Sequence, residues 1–252
     1  MNDAITVQRK GSVAIVTIDR GEKKNALNQE MVLSLTKIAR DFQDDHETTC
    51  VILRGAKDAF SAGIDLKDPS RWNIQDREFS ERRAISQRGM KMCKAWEEMP
   101  QVTIAAIEGF NVGGGIALTL ACDWRIMTTS SYLFVPELQI GIPLGWQTIP
   151  RLVRLVGPSK AKQVVFLGEK MTSEKALEWG LADFVVPDGE SLEYAESLSL
   201  KISQMPSVAV GMTKQSIDVS ANSLNNAVSF MDVDQAMLCG LSNEAVSART
   251  KF

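Results

Sequence analysis

One histidine in 252 residues leaves most histidine chemistry without a base. That residue, His46, lies in Asp44-Asp45-His46-Glu47, a stretch that reads as a solvated helix end. Ser-His-Asp and Cys-His catalysis are therefore excluded in practice. The four cysteines, Cys50, Cys93, Cys122 and Cys239, stand far apart, with no CxxC and no histidine pair, so no metal site is expected. Cys50 and Cys122 fall in apolar, strand-like runs, where a free thiol packs as a small core residue. No run of about 20 apolar residues occurs, so no membrane-spanning helix is expected. Met1-Asn2-Asp3-Ala4 has neither the basic nor the apolar region of a secretory leader, which makes the cytoplasm the expected location. An excess of positive charge is missing too. With Lys+Arg 28 against Asp+Glu 31 and a formal net charge of -3, a protein that works by neutralising nucleic-acid phosphates is not expected. Acid–base chemistry falls to carboxylates or lysines.

What is present suits one large domain, or one domain with a small appendage: 44% hydrophobic and 23% charged residues are enough for a real core. Strands are predicted at Ile5 to Gln8 and Val13 to Ile18, the second apolar on both alternating sets and so covered on both faces. Asn28 is a good N-cap for a helix whose Met31, Leu35, Ile38 and Phe42 keep helical spacing. Further buried strands are expected at Cys50 to Leu53, Val102 to Ile107, Cys122 to Met127 and Asp183 to Val186. Strands alternating with helices at this spacing imply an α/β architecture. Lys67 to Arg83, polar and carrying Pro69 and Trp72, reads as a mobile surface segment leading into a helix that ends near Met99. Beyond Met205 the pattern is helical, with Pro206 able to open a helix.

Three loops follow buried strands, the place where α/β proteins bind ligands. They are Gly21 to Asn28, Ala59 to Leu66, and Val112 to Ala117 with its Gly113-Gly114-Gly115 triplet. A glycine triplet alone is most simply a tight turn, and neither GxGxxG nor a Walker pattern occurs. In combination the loops say more. Glu22-Lys23-Lys24-Asn25-Ala26-Leu27, Phe60-Ser61-Ala62-Gly63-Ile64-Asp65-Leu66, Ala105-Ala106-Ile107-Glu108-Gly109, Gly113-Gly114-Gly115, Ala121-Cys122-Asp123 and Pro136-Glu137-Leu138-Gln139-Ile140-Gly141-Ile142-Pro143 follow one another in order. Gly168-Glu169-Lys170, Trp179-Gly180-Leu181-Ala182 and Val185-Val186-Pro187 complete the series. On these segments the chain resembles the enoyl-CoA hydratase/isomerase (crotonase) family over roughly residues 1 to 245.

The resemblance implies a spiral of ββα units over 1–200 that carries an acyl-CoA site. A helical C-terminal region over 201–252 would follow, assembling the chain as a homotrimer or a dimer of trimers. The substrate would be an acyl-CoA thioester, coenzyme A being part of it rather than a separate cofactor. By motif position, the backbone N–H groups of Ile64 and Gly114 would grip the thioester oxygen, where fixed donors stabilise a developing enolate. Coenzyme A binding carries over to Lys23, Ala26, Ala62, Ile64 and Leu66, with Lys23 meeting phosphate. Read by itself, the Lys23-Lys24 pair is equally a solvated turn.

Family hydratases use two glutamates. One matches Glu137, whose neighbours Leu133, Phe134, Val135, Leu138 and Ile140 are apolar, so a raised pKa and an acid–base role are expected. The other position holds Ala117. Members with a single glutamate at the Glu137 position include double-bond isomerases and hydratase-lyases acting on aromatic enoyl-CoAs. Trp146 and Gln147 could supply a substitute contact, although core packing suits Trp146. An enoyl-CoA hydratase/isomerase with one glutamate as acid and base is therefore expected. Another crotonase-type reaction and a non-catalytic scaffold remain as alternatives. RNA binding through the first helix is disfavoured, because Lys37 and Arg40 share it with Glu30, Asp41, Asp44 and Asp45. Family chains often carry the last helix further than Lys251-Phe252, so no contact from it to a neighbour's coenzyme A is assigned.

Overall fold

The computed structural model describes residues 3–56 and 58–250; the ends Met1-Asn2 and Lys251-Phe252 lie outside the described residues. The chain opens as an antiparallel hairpin, β1 (Ile5–Lys10) and β2 (Val13–Ile18), turned at Gly11. A single 3₁₀ turn over Gly21–Lys23 leads to α1 (Gln29–Gln43). Asn28 caps that helix as expected, its side chain accepting from Met31 N at 2.9 Å. There follow β3 (Cys50–Gly55), β4 (Ala59–Ser61), α2 (Pro69–Trp72), α3 (Phe79–Ser86), α4 (Arg88–Glu97) and β5 (Val102–Ile107). The next turn of the chain gives β6 (Phe110–Val112), α5 (Gly114–Thr119), β7 (Trp124–Thr128) and β8 (Tyr132–Phe134). Next come α6 (Thr148–Leu167), broken at Gly157 ahead of Pro158, then β9 (Met171–Thr172), α7 (Ser173–Trp179) and β10 (Phe184–Val186). Five helices end the chain: α8 (Ser191–Ser203), α9 (Ser207–Asn222), α10 (Asn225–Ser229), α11 (Asp232–Cys239) and α12 (Asn243–Thr250).

Successive units stack into two sheets. The larger runs β1-β2-β3-β5-β7-β10, parallel from β2 onward; the smaller runs β4-β6-β8-β9. Period-two alternation explains how one strand serves two cores. Ala14 and Val16, Val51 and Leu53, Ala105 and Ile107 face α1 and α4, meeting Met31, Leu35, Phe42, Met92 and Trp96. Val13, Ile15, Cys50, Ile52 and Ile104 face the other way, onto Ala195 and Ile202 of α8. Each such buried large side chain stabilises the fold by roughly 1.5–3 kcal/mol. Helix α9 is tied to the large sheet by Lys214, whose ammonium donates to Asp123 Oδ2 (2.7 Å) and Gln101 O (2.9 Å).

Two expectations need correcting, and one feature was not expected. The strand expected from Cys122 begins at Trp124, because Cys122 closes the turn after α5, its buried Sγ resting on Leu118 O. The smaller sheet went unforeseen, since β4, β6 and β8 have three residues each, too few to show a period. The segment 67–83 is not a plain surface loop: it holds α2 and the start of α3. Asp68 caps α2 through Ser70 N and also accepts from Gln29 N, while Trp72 Nε1 donates to Asp65 O at 3.0 Å. Asp68, Ser70 and Trp72 are thus bonded to one another or to neighbouring backbone, which composition alone does not reveal. Among the described residues, no helix is long and apolar enough to cross a membrane.

Arg151 in α6 is the most consequential buried charge. Its guanidinium pairs with both carboxylate oxygens of Glu97 at 2.8 Å, and donates to Trp146 O (2.9 Å) and Gln147 O (3.2 Å). It therefore holds two successive non-glycine residues in the left-handed region, Trp146 at φ 61° and Gln147 at φ 59°. Arg151→Met would strand Glu97 half-buried and release both carbonyls. We expect a loss of about 3–5 kcal/mol, read from urea unfolding at fixed protein concentration.

Candidate active site

The turn after β2 and the loop after β4 are stapled together by Asn25. This buried residue, at φ 57°, donates from Nδ2 to Ala59 O (2.8 Å), accepts at Oδ1 from Arg20 N (2.8 Å), and accepts at its carbonyl from Ser61 Oγ (2.8 Å). An asparagine suits the position because it tolerates left-handed backbone and can bond in three directions. Ser61 Oγ then accepts from Gly63 N (3.1 Å), bending the chain toward Ile64. The Ile64 N–H lies between two loop bonds, Leu27 N to Gly63 O (2.7 Å) and Asp65 N to Leu27 O (3.0 Å), and donates to no group among the described residues.

Parallel pairing of β4, β6 and β8 brings the third loop alongside. A Cβ built on Gly63 would lie 2.9 Å from Val112 O and 3.6 Å from Gly114 N, so the two loops touch backbone to backbone. Gly114 opens α5, and its N–H, in the unpaired first turn, likewise donates to no described group. Gly113 needs its missing side chain twice over: φ is +47°, and a Cβ there would meet Glu137 Oε1 at 2.5 Å.

Glu137 follows β8 and Pro136 and is 8% exposed. Its backbone carbonyl accepts from Ile142 N (2.9 Å), fixing the turn, while its Oε2 is buried with no hydrogen-bond partner among the described residues. Burial pushes the carboxyl up to about 7, with its own backbone N–H pulling weakly the other way. Such a group can take up and release a proton near neutrality.

Ile64, Leu66, Gly114, Ala117 and Glu137 line one cavity of about 480 Å³, whose far wall is Ile142 to Trp146. Lys23, Ala26 and Ala62 are not in that wall. Lys23 is exposed in the 3₁₀ turn, Ala26 N donates to Lys23 O, and Ala62 N to Lys24 O, so the structure brings the three to one turn. Trp146 packs in the core and lines the cavity as well, its ring 2.9 Å from where a Gly114 Cβ would be. The roof was not legible in the sequence: Arg71, Trp72 and Arg82 come from the polar 67–83 segment, and Asp232 and Met237 from α11. Arg83 closes the two halves of the roof by bonding both oxygens of Asp234 (2.5 and 2.9 Å). The isolated Trp72 was the one sequence signal that this segment covers something. No cluster of three or more His, Cys, Asp or Glu able to hold a metal ion occurs among the described residues.

A family profile for enoyl-CoA hydratase/isomerase matches residues 8–249. A short-chain-enoyl-CoA hydratase from Clostridium acetobutylicum is 33% identical over 216 residues, covering 85% of this chain and 80% of that protein. A crotonyl-CoA hydratase from Syntrophomonas wolfei is 28% identical over 249 residues, 98% of this chain and 94% of the other. In three dimensions, the crystal structure of an enoyl-CoA hydratase/isomerase from Mycobacterium paratuberculosis superposes with TM-score 0.91 at 23% identity, covering 100% of this chain and 99% of that one. The fold is the crotonase spiral expected from sequence.

Glu137 has a raised folded-state pKa, so it burdens the fold only when ionised. Below about 4.5 the carboxyl is neutral in both states and costs nothing; between 4.5 and 7 the unfolded chain ionises first, and stability is lost as pH rises. Relative to Glu137→Gln, the wild type should therefore lose about 3 kcal/mol between pH 4.5 and 8. Parallel urea curves for the two proteins across that range check this; a constant difference would mean that Glu137 ionises freely.

Proposed function

The chain belongs to the enoyl-CoA hydratase/isomerase family, and on that premise we propose that it is a cytoplasmic enzyme acting on an enoyl-CoA thioester through an enolate, with Glu137 as its only acid and base. The observation that carries the reading is the buried Glu137 carboxyl, whose Oε2 has no partner, in one cavity with two backbone N–H groups that donate to nothing among the described residues. The thioester oxygen would accept from Ile64 N and Gly114 N, a pair of fixed dipoles in a water-poor site. Gly114 adds the favourable end of a helix to the developing anion.

The carboxylate of Glu137 would remove a proton from C2 of a 3-enoyl thioester. The electron pair moves through the dienolate, whose charge rests on the gripped oxygen, and the same proton returns at C4. Hydration in this site would need Glu137 both to orient water at C3 and to protonate C2, since Ala117 stands 2% exposed where family hydratases carry their other glutamate. Ala117 thus favours double-bond migration over hydration, although the relatives reported above are named for hydration. In this reading the exposed Lys23 would meet phosphate, Ala26 and Ala62 would adjoin it, and Leu66, in the cavity wall, would meet the pantetheine arm.

A panel of 2-enoyl and 3-enoyl thioesters, assayed for both hydration and migration, tests the reading. Glu137→Gln keeps the shape but accepts no proton, so turnover should fall by roughly 10²–10⁴-fold while coenzyme A thioesters still bind. Near-normal turnover on every substrate would reduce Glu137 to a buried structural carboxyl.

Assembly as a homotrimer or a dimer of trimers belongs to the same proposal. Val208, Met212 and Ile217 of α9 are more than 60% exposed in the single chain, as are Phe230 and Leu238 beyond it. An apolar stripe of that extent calls for a partner surface. Sedimentation at micromolar concentration should give three or six chains per particle; a stable monomer would contradict it.

A further inference from the structure

Three arginines line the cavity, Arg71, Arg82 and Arg249, against two acids, Glu137 and Asp232. Most of these charges are already answered. Arg249 donates to Gly240 O (3.2 Å), Asp232 accepts from Gln147 N (2.8 Å), and burial drives Glu137 toward its neutral form. Arg71 and Arg82 are not answered. The Nε of each is shut away from water with no acceptor, and neither side chain forms a hydrogen bond or ion pair among the described residues. Asp68 attracts Arg71 from a distance, but its oxygens are occupied by Gln29 N, Ser70 N and Ser70 Oγ.

Arg71 is also held in place. Its guanidinium lies over Trp72, 5.3 Å from the ring centre, and over Trp146 at 5.8 Å. Those contacts favour the cation but leave its in-plane N–H groups free. Burial lowers its pKa to about 10, the cost of a charge removed from water without a counter-ion. Trp146 touches Gly114 with the same ring, so a chain that begins at Gly114 reaches Arg71 within a few carbon atoms. A planar, fixed, desolvated guanidinium is suited to a carboxylate, which it can grip through two parallel bonds.

We infer that Arg71, seconded by Arg82, receives a carboxylate at the far end of the acyl group, so that the enzyme's substrates are acyl-CoA thioesters bearing a second, free acid. This rests on the proposed function above and narrows it to a substrate class. The competing source of an anion is coenzyme A itself, whose phosphates could meet the same arginines.

The test is calorimetric binding of saturated thioesters, which have no double bond to react. Glutaryl-CoA and adipyl-CoA are compared with valeryl-CoA and hexanoyl-CoA, matched for chain length, and with free coenzyme A. At least one diacid thioester should bind the wild type roughly 10- to 100-fold more tightly than its neutral counterpart, the range for a hydrogen bond to a charged group. Arg71→Met, which keeps a stem to pack on the tryptophans, should abolish that ratio, and Arg71→Lys should keep part of it. Equal binding of acid and neutral thioesters by the wild type overturns the inference alone, whatever the variants do. A loss in Arg71→Met shared equally by free coenzyme A and all four thioesters assigns the arginine to phosphate and overturns it too. Failure to bind any thioester sinks the proposed function and this inference together.

Discussion

The backbone at residues 113 and 114 has room for no side chain, and the rest of the site is arranged around that fact. On one side Glu137 Oε1 comes within 2.5 Å of where a Gly113 Cβ would stand. On the other, Trp146 and Ile64 close to 2.9 and 3.1 Å of the corresponding point on Gly114. A side chain at 113 would displace the carboxyl, and one at 114 would press on the indole and the Ile64 side chain. Glu137 and Trp146 come from the connection between β8 and α6 and Ile64 from the loop after β4, and the bare backbone between them lets them share one cavity.

That closeness has to be held against two unfavourable terms. One is the buried carboxyl of Glu137, whose Oε2 has no partner among the described residues. The other is the left-handed backbone at Trp146 and Gln147. The fold answers the second directly, through Arg151, fully buried and bonded to both carbonyls and to Glu97. It leaves the first standing. A group kept in an unfavourable state by its surroundings is what a proton-transfer site needs, and stability given up at such a place is the usual accompaniment of function.

The cavity also divides into parts of different origin. Its floor is built by parallel strands and the loops at their ends, with backbone donors and small residues; its roof is built by α2, α3 and α11, with arginines, tryptophan and an aspartate. The floor is where the bond-making would occur, and the roof is where one acyl group would be told from another. The Arg83–Asp234 pair joins the roof's two contributors across 151 positions of sequence.

The sequence by itself determined the layers and the floor. Buried strands such as Val13 to Ile18 and Cys50 to Gly55 carry apolar residues on both alternating faces, and the α1 stripe from Met31 to Phe42 keeps its helical period, so local pattern is enough. Glu137 could be singled out because its apolar neighbours are also its neighbours along the chain. Only the tertiary structure decided the rest. The three-residue strands β4, β6 and β8 are too short to carry a period, and they exist because parallel neighbours supply their hydrogen bonds. Arg71 and Asp232 reach the cavity from 161 positions apart, the first on a segment whose polar composition reads as surface. Lys23, Ala26 and Ala62 do not line the cavity that Ile64 and Leu66 do, a distinction that motif position does not carry. Charge and composition report what a residue can do; whether it faces a substrate depends on which distant backbone closes over it.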